Sequence, residues 1–146
     1  MSSPRSVRFD DSVVDRLTSY VSRHPGLTAS SAAARLVDEG LRMEEHPGVM
    51  FRDGPMGRRA TLVAGPDVWE VIRAVRSARA GEPDLSEAEI LDLVADNAGV
   101  ASRLVRVAVD YWAAFPVEVD ALVEHAARTE EAHRAAAERS RGLLAG

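Results

Sequence analysis

Cysteine and lysine are both missing from this chain. The first absence removes disulfide bridges and thiolate metal sites, and makes a reducing compartment the simpler expectation. The second leaves Arg as the source of all 18 basic side chains, and its planar guanidinium suits two-pronged contact with guanine or phosphate. A coding bias toward G+C accounts for the same preference, and for the abundance of Ala, Val and Gly beside it. No apolar run reaches the length that a bilayer span requires, so no membrane association is expected. The opening Met1-Ser2-Ser3-Pro4-Arg5 has no apolar stretch behind it, which argues against a secretory signal and for a cytoplasmic protein.

What is present is the composition of an ordinary globular protein: 146 residues, 46% hydrophobic and 28% charged, with a net charge of -5. The acidic balance counts against indiscriminate nucleic-acid binding, while specific binding depends on the local field at the contact. The residue pattern divides the chain into segments 1–46, 47–116 and 117–146.

In the first segment Arg5, Val7 and Phe9 alternate with Ser6 and Arg8, the period of a short strand. Asp10-Asp11-Ser12 starts a helix with acidic residues where the macrodipole favours them. Its apolar face is Val13, Val14, Leu17, Tyr20 and Val21, and His24-Pro25-Gly26 stops it. Thr28 caps a second helix with the stripe Ala33, Leu36, Val37 and Leu41, closed by a hinge at 44–48.

Beyond the hinge, 49–52 and 58–63 read as two strands around the loop 53–57. Gly65-Pro66-Asp67 opens a helix carrying Val68, Val71, Ile72 and Val75. Ser86-Glu87-Ala88-Glu89 forms a capping box for a helix through Asp96. A further helix from Ala101 to Phe115 is expected to bury Leu104, Val107, Ala108 and Tyr111, and Pro116 breaks or kinks it. Trp69, Tyr111 and Trp112 sit among apolar neighbours at helical spacing and read as core. The stretch 117–144 is helical by propensity, with apolar positions thinning after Ala127. The expected fold class is mainly α with one small hairpin.

A strand as short as Ser6-Val7-Arg8-Phe9 cannot stand alone in water, because its backbone groups lack partners. It asks for a second copy, and two such strands paired across a two-fold axis have the width that a DNA major groove admits. Strand, helix, Gly26-Leu27-Thr28 turn and helix, over roughly Pro4 to Met43, resemble the ribbon-helix-helix family of MetJ-, Arc- and CopG-like repressors. The resemblance implies an intertwined homodimer on a palindromic operator in double-stranded DNA. It places Ser6 and Arg8 on base edges. Arg5 and the second helix's amino end, with Thr28, Ser30 and Ser31, fall on phosphates. Val7, Phe9, Val13, Leu17 and Leu36 then form the dimer core. Pro4 departs from the polar or basic residue usual at the first outward position, and Arg5 takes a position that is normally apolar.

The stretch from His46-Pro47-Gly48 to Glu118-Val119-Asp120 resembles the prokaryotic domains grouped as domain of unknown function 433. The likeness rests on Gly57-Arg58-Arg59, Glu89-Ile90-Leu91 and Ala108-Val109-Asp110-Tyr111. It implies a winged helix-turn-helix and an association with PIN-like ribonucleases. Helices 87–96 and 101–114 around turn 97–100 fit a helix-turn-helix, with Arg103 and Arg106 on the polar face and Arg52, Arg58 and Arg59 on the hairpin as a second DNA surface. A solvated arginine face accounts for the same residues equally well.

Little in the sequence supports catalysis, and no metal or cofactor is expected. His24 ends a helix, His46 precedes Pro47, and His125 and His133 stand too far apart to share a metal on one helix. The loop 53–57 lacks the Lys-Ser/Thr of a phosphate loop. The function expected from the sequence is a homodimeric transcriptional repressor. Its most concrete form is the antitoxin of a type II toxin–antitoxin pair, with Glu118, Glu124, Glu130 and Glu131 of the last helix covering a ribonuclease toxin. The alternative is a dimeric protein–protein adaptor that never touches DNA; salt dependence of duplex binding separates the two.

Overall fold

The computed structural model describes residues 3–146. Among them, helix accounts for 68% of the chain, in six helices beside one small antiparallel sheet. The order is α1 (Asp11–Ser22), α2 (Ala29–Glu45), β1 (Val49–Arg52), β2 (Arg59–Leu62), α3 (Val68–Gly81), α4 (Glu87–Ala98), α5 (Ser102–Ala114) and α6 (Pro116–Ala145). No helix among the described residues is long and apolar enough to cross a membrane. The chain forms two compact units, Met1–Glu44 and Glu45–Gly146.

The first unit is two helices joined by a short turn. Asp10 caps α1 with its carbonyl, which accepts from the N–H groups of Val13 and Val14. Gly26 closes the turn in the left-handed region, after which Thr28 and Ser31 bond reciprocally at the start of α2. α1 has no buried residue, and α2 buries only Ala32 and Glu39.

The second unit carries the core. β1 and β2 pair with Val49 opposite Leu62 and Arg52 opposite Arg59. α3 packs on β2, α4, α5 and α6, so it is the central element. Leu62, Val68, Val71, Val94, Val105 and Val119 are fully buried, each contributing about 1.5–3 kcal/mol by leaving water. Tyr111 is buried with them and donates its hydroxyl to Glu118 at 2.9 Å, inside a cluster of His46, Phe51 and Phe115 rings. Gly48 turns into β1 with φ +108°, and a Cβ there would press on Leu104 at 3.2 Å. Only glycine meets both demands.

Local signals decide most helix ends. Ser86 and Glu89 form the expected reciprocal box, with Glu89 N–H donating to Ser86 Oγ at 3.2 Å and Ser86 N–H to Glu89 Oε1 at 3.0 Å. Pro116 stands at the first turn of α6, where its missing N–H costs nothing. Two details of the expected core are corrected. Val105 is fully buried, whereas Val107 and Trp112 are half-buried at its margin. The α5 face that meets the core runs through Leu104, Val105, Ala108 and Tyr111, which are three of the four expected positions with Val105 in place of Val107.

Two carboxyls on this unit lie below their ordinary range. Glu89 is held there by the Ser86 backbone N–H, and Asp120 by Arg76 and then Trp112, both of which donate to it. A carboxyl with a depressed folded pKa adds stability above its unfolded pKa and loses it as pH falls through the folded one. Thermal unfolding followed from pH 7 down to pH 3 is therefore expected to lose stability through and below the carboxylate range. Glu89→Gln and Asp120→Asn should each flatten part of that fall, and curves that superpose on wild type would show that these bonds carry no linkage.

Candidate nucleic-acid interface

Residues 3–10 carry no regular secondary structure. The expected strand at Arg5–Phe9 is thus not a strand of the single chain, for the reason its length gives: no other segment of its own chain pairs with it, and a β-ladder requires two partners. Arg5, Ser6 and Arg8 are exposed, with no hydrogen bond or ion pair among the described residues. Val7 is 68% exposed and Phe9 38%.

Phe9 leads into a groove of about 450 Å³ in the first unit. Val13, Leu17, Ala33, Leu36 and Val37 line it, so all the expected dimer-core residues except Val7 converge on one surface. Arg16 and Arg23 stand in the same wall, and neither is among the residues expected at this interface. Their spacing from Tyr20, four residues before and three after, marked them as its neighbours on one helix face. Tyr20 stacks on His24 at 3.9 Å between ring centroids and accepts a bond from Arg35 at 3.5 Å, which ties α1 to α2. The groove is mainly apolar, with Arg16 and Arg23 in its wall.

At the amino end of α2 the hydroxyls are already engaged. Thr28 Oγ1 accepts from Ser31 N–H at 3.1 Å, and Thr28 N–H donates to Ser31 Oγ at 2.9 Å. That is a helix cap in its own right. Ser30 is exposed and has no side-chain partner among the described residues. The groups left for an anion here are the Ser30 hydroxyl and the first free N–H groups of the helix.

The arginines of the second unit are mostly spent internally. Arg59 pairs with the buried Asp67. Arg52 donates to Thr61 Oγ1 at 2.9 Å and to the Gly65 carbonyl at 3.3 Å. Arg58 lies 3.5 Å from Asp53, and Arg106 pairs with Glu87. Arg103 alone of the five is exposed and unpaired among the described residues. The glutamates expected to face a toxin are similarly occupied: Glu118 by Tyr111, Glu130 by Arg73 at 2.7 Å, and Glu124 and Glu131 by Arg128 and Arg134 of α6 itself.

Charge follows the same division. Residues 1–44 hold six arginines and six carboxylates, while 45–146 hold twelve arginines and seventeen. The whole net charge of -5 therefore belongs to the second unit. A polyanion meets less repulsion at the first unit than at the second, and residues 3–9 hold Arg5 and Arg8 with no carboxylate before Asp10 and Asp11.

Among the described residues no three His, Cys, Asp or Glu side chains gather to hold a metal ion. Nothing matches this chain in comparisons with protein-family models, curated proteins and solved structures.

Proposed function

We propose that the protein is a homodimeric, sequence-specific DNA-binding repressor of the ribbon-helix-helix kind. The observation that carries this is the unfinished state of the first unit: two helices with almost no buried side chain, an apolar groove holding Phe9 at its mouth, and an unpaired alternating segment beside it. A second copy supplies both things that are wanting. Its Val7 and Phe9 fill the groove region, and its opening segment completes the β-ladder. The faces opposite Val7 and Phe9 then carry Ser6 and Arg8 outward from both chains, as a two-stranded ribbon for the major groove.

Arg8 is the base reader in this arrangement, because its free fork matches the two acceptors of guanine. Arg5, Ser30 and the first N–H groups of α2 are the phosphate contacts. The second unit, acidic and with most of its arginines engaged, is assigned no DNA contact. In the antitoxin form of this reading, the toxin meets the distal half of α6, where Leu143 and Leu144 are exposed.

Selection of bound duplexes from a random pool tests the proposal on the full chain. The expected outcome is an enriched palindrome bound by a dimer, with log affinity falling linearly as log salt rises. A monomer in sedimentation would overturn the proposal. A dimer that enriches no sequence at low salt is the adaptor instead.

A further inference from the structure

The second unit contains a groove that the DNA-binding reading does not use. It lies among α3, α4 and α5, has a volume of about 630 Å³, and is floored by Ile72, Val75, Ile90, Val109 and Trp112. That volume is in the range of small-molecule sites. Its rim carries Arg76, Arg79 and Arg106 against the single carboxylate Glu87.

The state of those arginines decides what the groove can take. Arg76 donates to Asp120 of α6 at 2.6 Å, and its guanidinium lies 5.5 Å from the Trp112 ring centroid. Trp112 in turn donates its N–H to Asp120 at 3.0 Å, so ring and guanidinium are both fixed by one carboxylate. Arg106 is matched by Glu87. Arg79 is different: it donates to the main-chain carbonyls of Pro83 at 3.2 Å and Leu85 at 2.7 Å, and meets no carboxylate among the described residues. Carbonyl dipoles hold the guanidinium in place without cancelling its charge. The rim thus keeps an excess positive charge over an apolar floor, in a unit whose overall charge is negative.

We propose that this groove binds a small amphipathic monocarboxylate, its apolar body on the Ile72, Val109 and Trp112 floor and its carboxylate between Arg79 and Arg106. The apolar area removed from water supplies the affinity, and the carboxylate meets two preformed guanidinium groups, which fixes orientation. The Arg106–Glu87 pair is exposed on both sides, so an incoming carboxylate can compete with Glu87 for Arg106 at little cost. A cation of the same shape gains the floor and meets repulsion at the rim. This proposal stands apart from the DNA reading, since none of its residues lies in the first unit.

Decanoate, kept below its micelle-forming concentration, is a suitable probe, and calorimetry on the full chain reads its binding. One site per chain is expected, with decylammonium at least about tenfold weaker. Arg106→Gln removes one of the two charged donors and should weaken decanoate about tenfold. Val109→Glu places a like charge on the floor and should weaken it further. Arg106 is exposed, so its variant keeps the test alive if Val109→Glu fails to fold, and circular dichroism checks both. Absent binding, equal binding of decylammonium, or unchanged affinity in Arg106→Gln would each overturn the proposal. So would a change of oligomeric state in Val109→Glu, because the occupant would then be a second copy of the chain.

Discussion

Replacing Arg8 by Ala is expected to release the protein from its selected duplex while leaving the dimer whole. In the proposed ribbon Arg8 alternates with Val7 and Phe9 and faces away from them, so its loss removes no apolar contact from the partner surface. A two-fold dimer presents it twice. Each forked contact to guanine is worth about 1–3 kcal/mol of discrimination, so the pair amounts to about 30-fold to 10⁴-fold in affinity at fixed salt. Binding to an unrelated duplex should fall far less, because it loses only two of the charges that draw the ribbon to phosphate. Arg8→Lys separates fork from charge: non-specific affinity should stay near wild type while selectivity drops. Fluorescence anisotropy with both duplexes, alongside sedimentation, measures all of this. Equal losses on both duplexes would mean that Arg8 contacts phosphate only, and no loss on either would remove it from the interface.

How much of this was legible in the sequence depended on how far apart the cooperating residues lie. Features settled within one helical turn could be read directly. Ser86 and Glu89 box each other as their spacing demands, Pro116 sits where its lost N–H is harmless, and Gly48 takes the left-handed turn that only glycine takes cheaply. The two strands fell within a residue or two of their expected ends, since alternation and a Gly-Pro-Met-Gly loop mark a hairpin locally. Ion pairing was not legible. Arg106 of α5 finds Glu87 of α4 across nineteen residues and Arg73 of α3 finds Glu130 of α6 across fifty-seven, and only the packing of one helix on another decides such meetings. Arg52, Arg58, Arg59 and Arg106, expected at a second DNA surface, are therefore already engaged, and Arg103 is not. The α3–α4–α5 groove was hidden for the same reason: each of its walls reads as an ordinary amphipathic helix, and the cavity exists only once three are assembled. The opening strand failed differently. Its alternation was plain, but a β-ladder is a property of two segments, and one chain supplies a single segment.

The largest expected loss of stability follows from Asp67→Ala. Asp67 is buried, pairs with Arg59 of β2, and accepts the indole N–H of Trp69 at 3.1 Å. Its own N–H donates to Glu70 Oε1 at 3.3 Å at the start of α3. One side chain thus joins the hairpin to the central helix. The Arg59 side chain is only 15% exposed, its Nη1 is buried without a hydrogen-bond acceptor, and among the described residues Asp67 is its one counter-charge. Removing the carboxylate strands a guanidinium in a poorly solvated place and orphans the indole. Breaking a buried pair in this way costs about 3–5 kcal/mol. Urea unfolding of the second unit should show that drop as a lower midpoint with an unchanged slope. Asp67→Asn keeps an acceptor for Trp69 and should cost less. The decisive variant is Arg59→Met with Asp67→Ala, where no charge is left behind. It should recover most of the loss, because replacing both members of a buried pair is often near neutral. If the double variant is as unstable as Asp67→Ala, the hairpin is held to α3 by something other than this pair. A loss under about 1 kcal/mol in the single variant would place the Arg59 charge in water, at the level of an exposed pair.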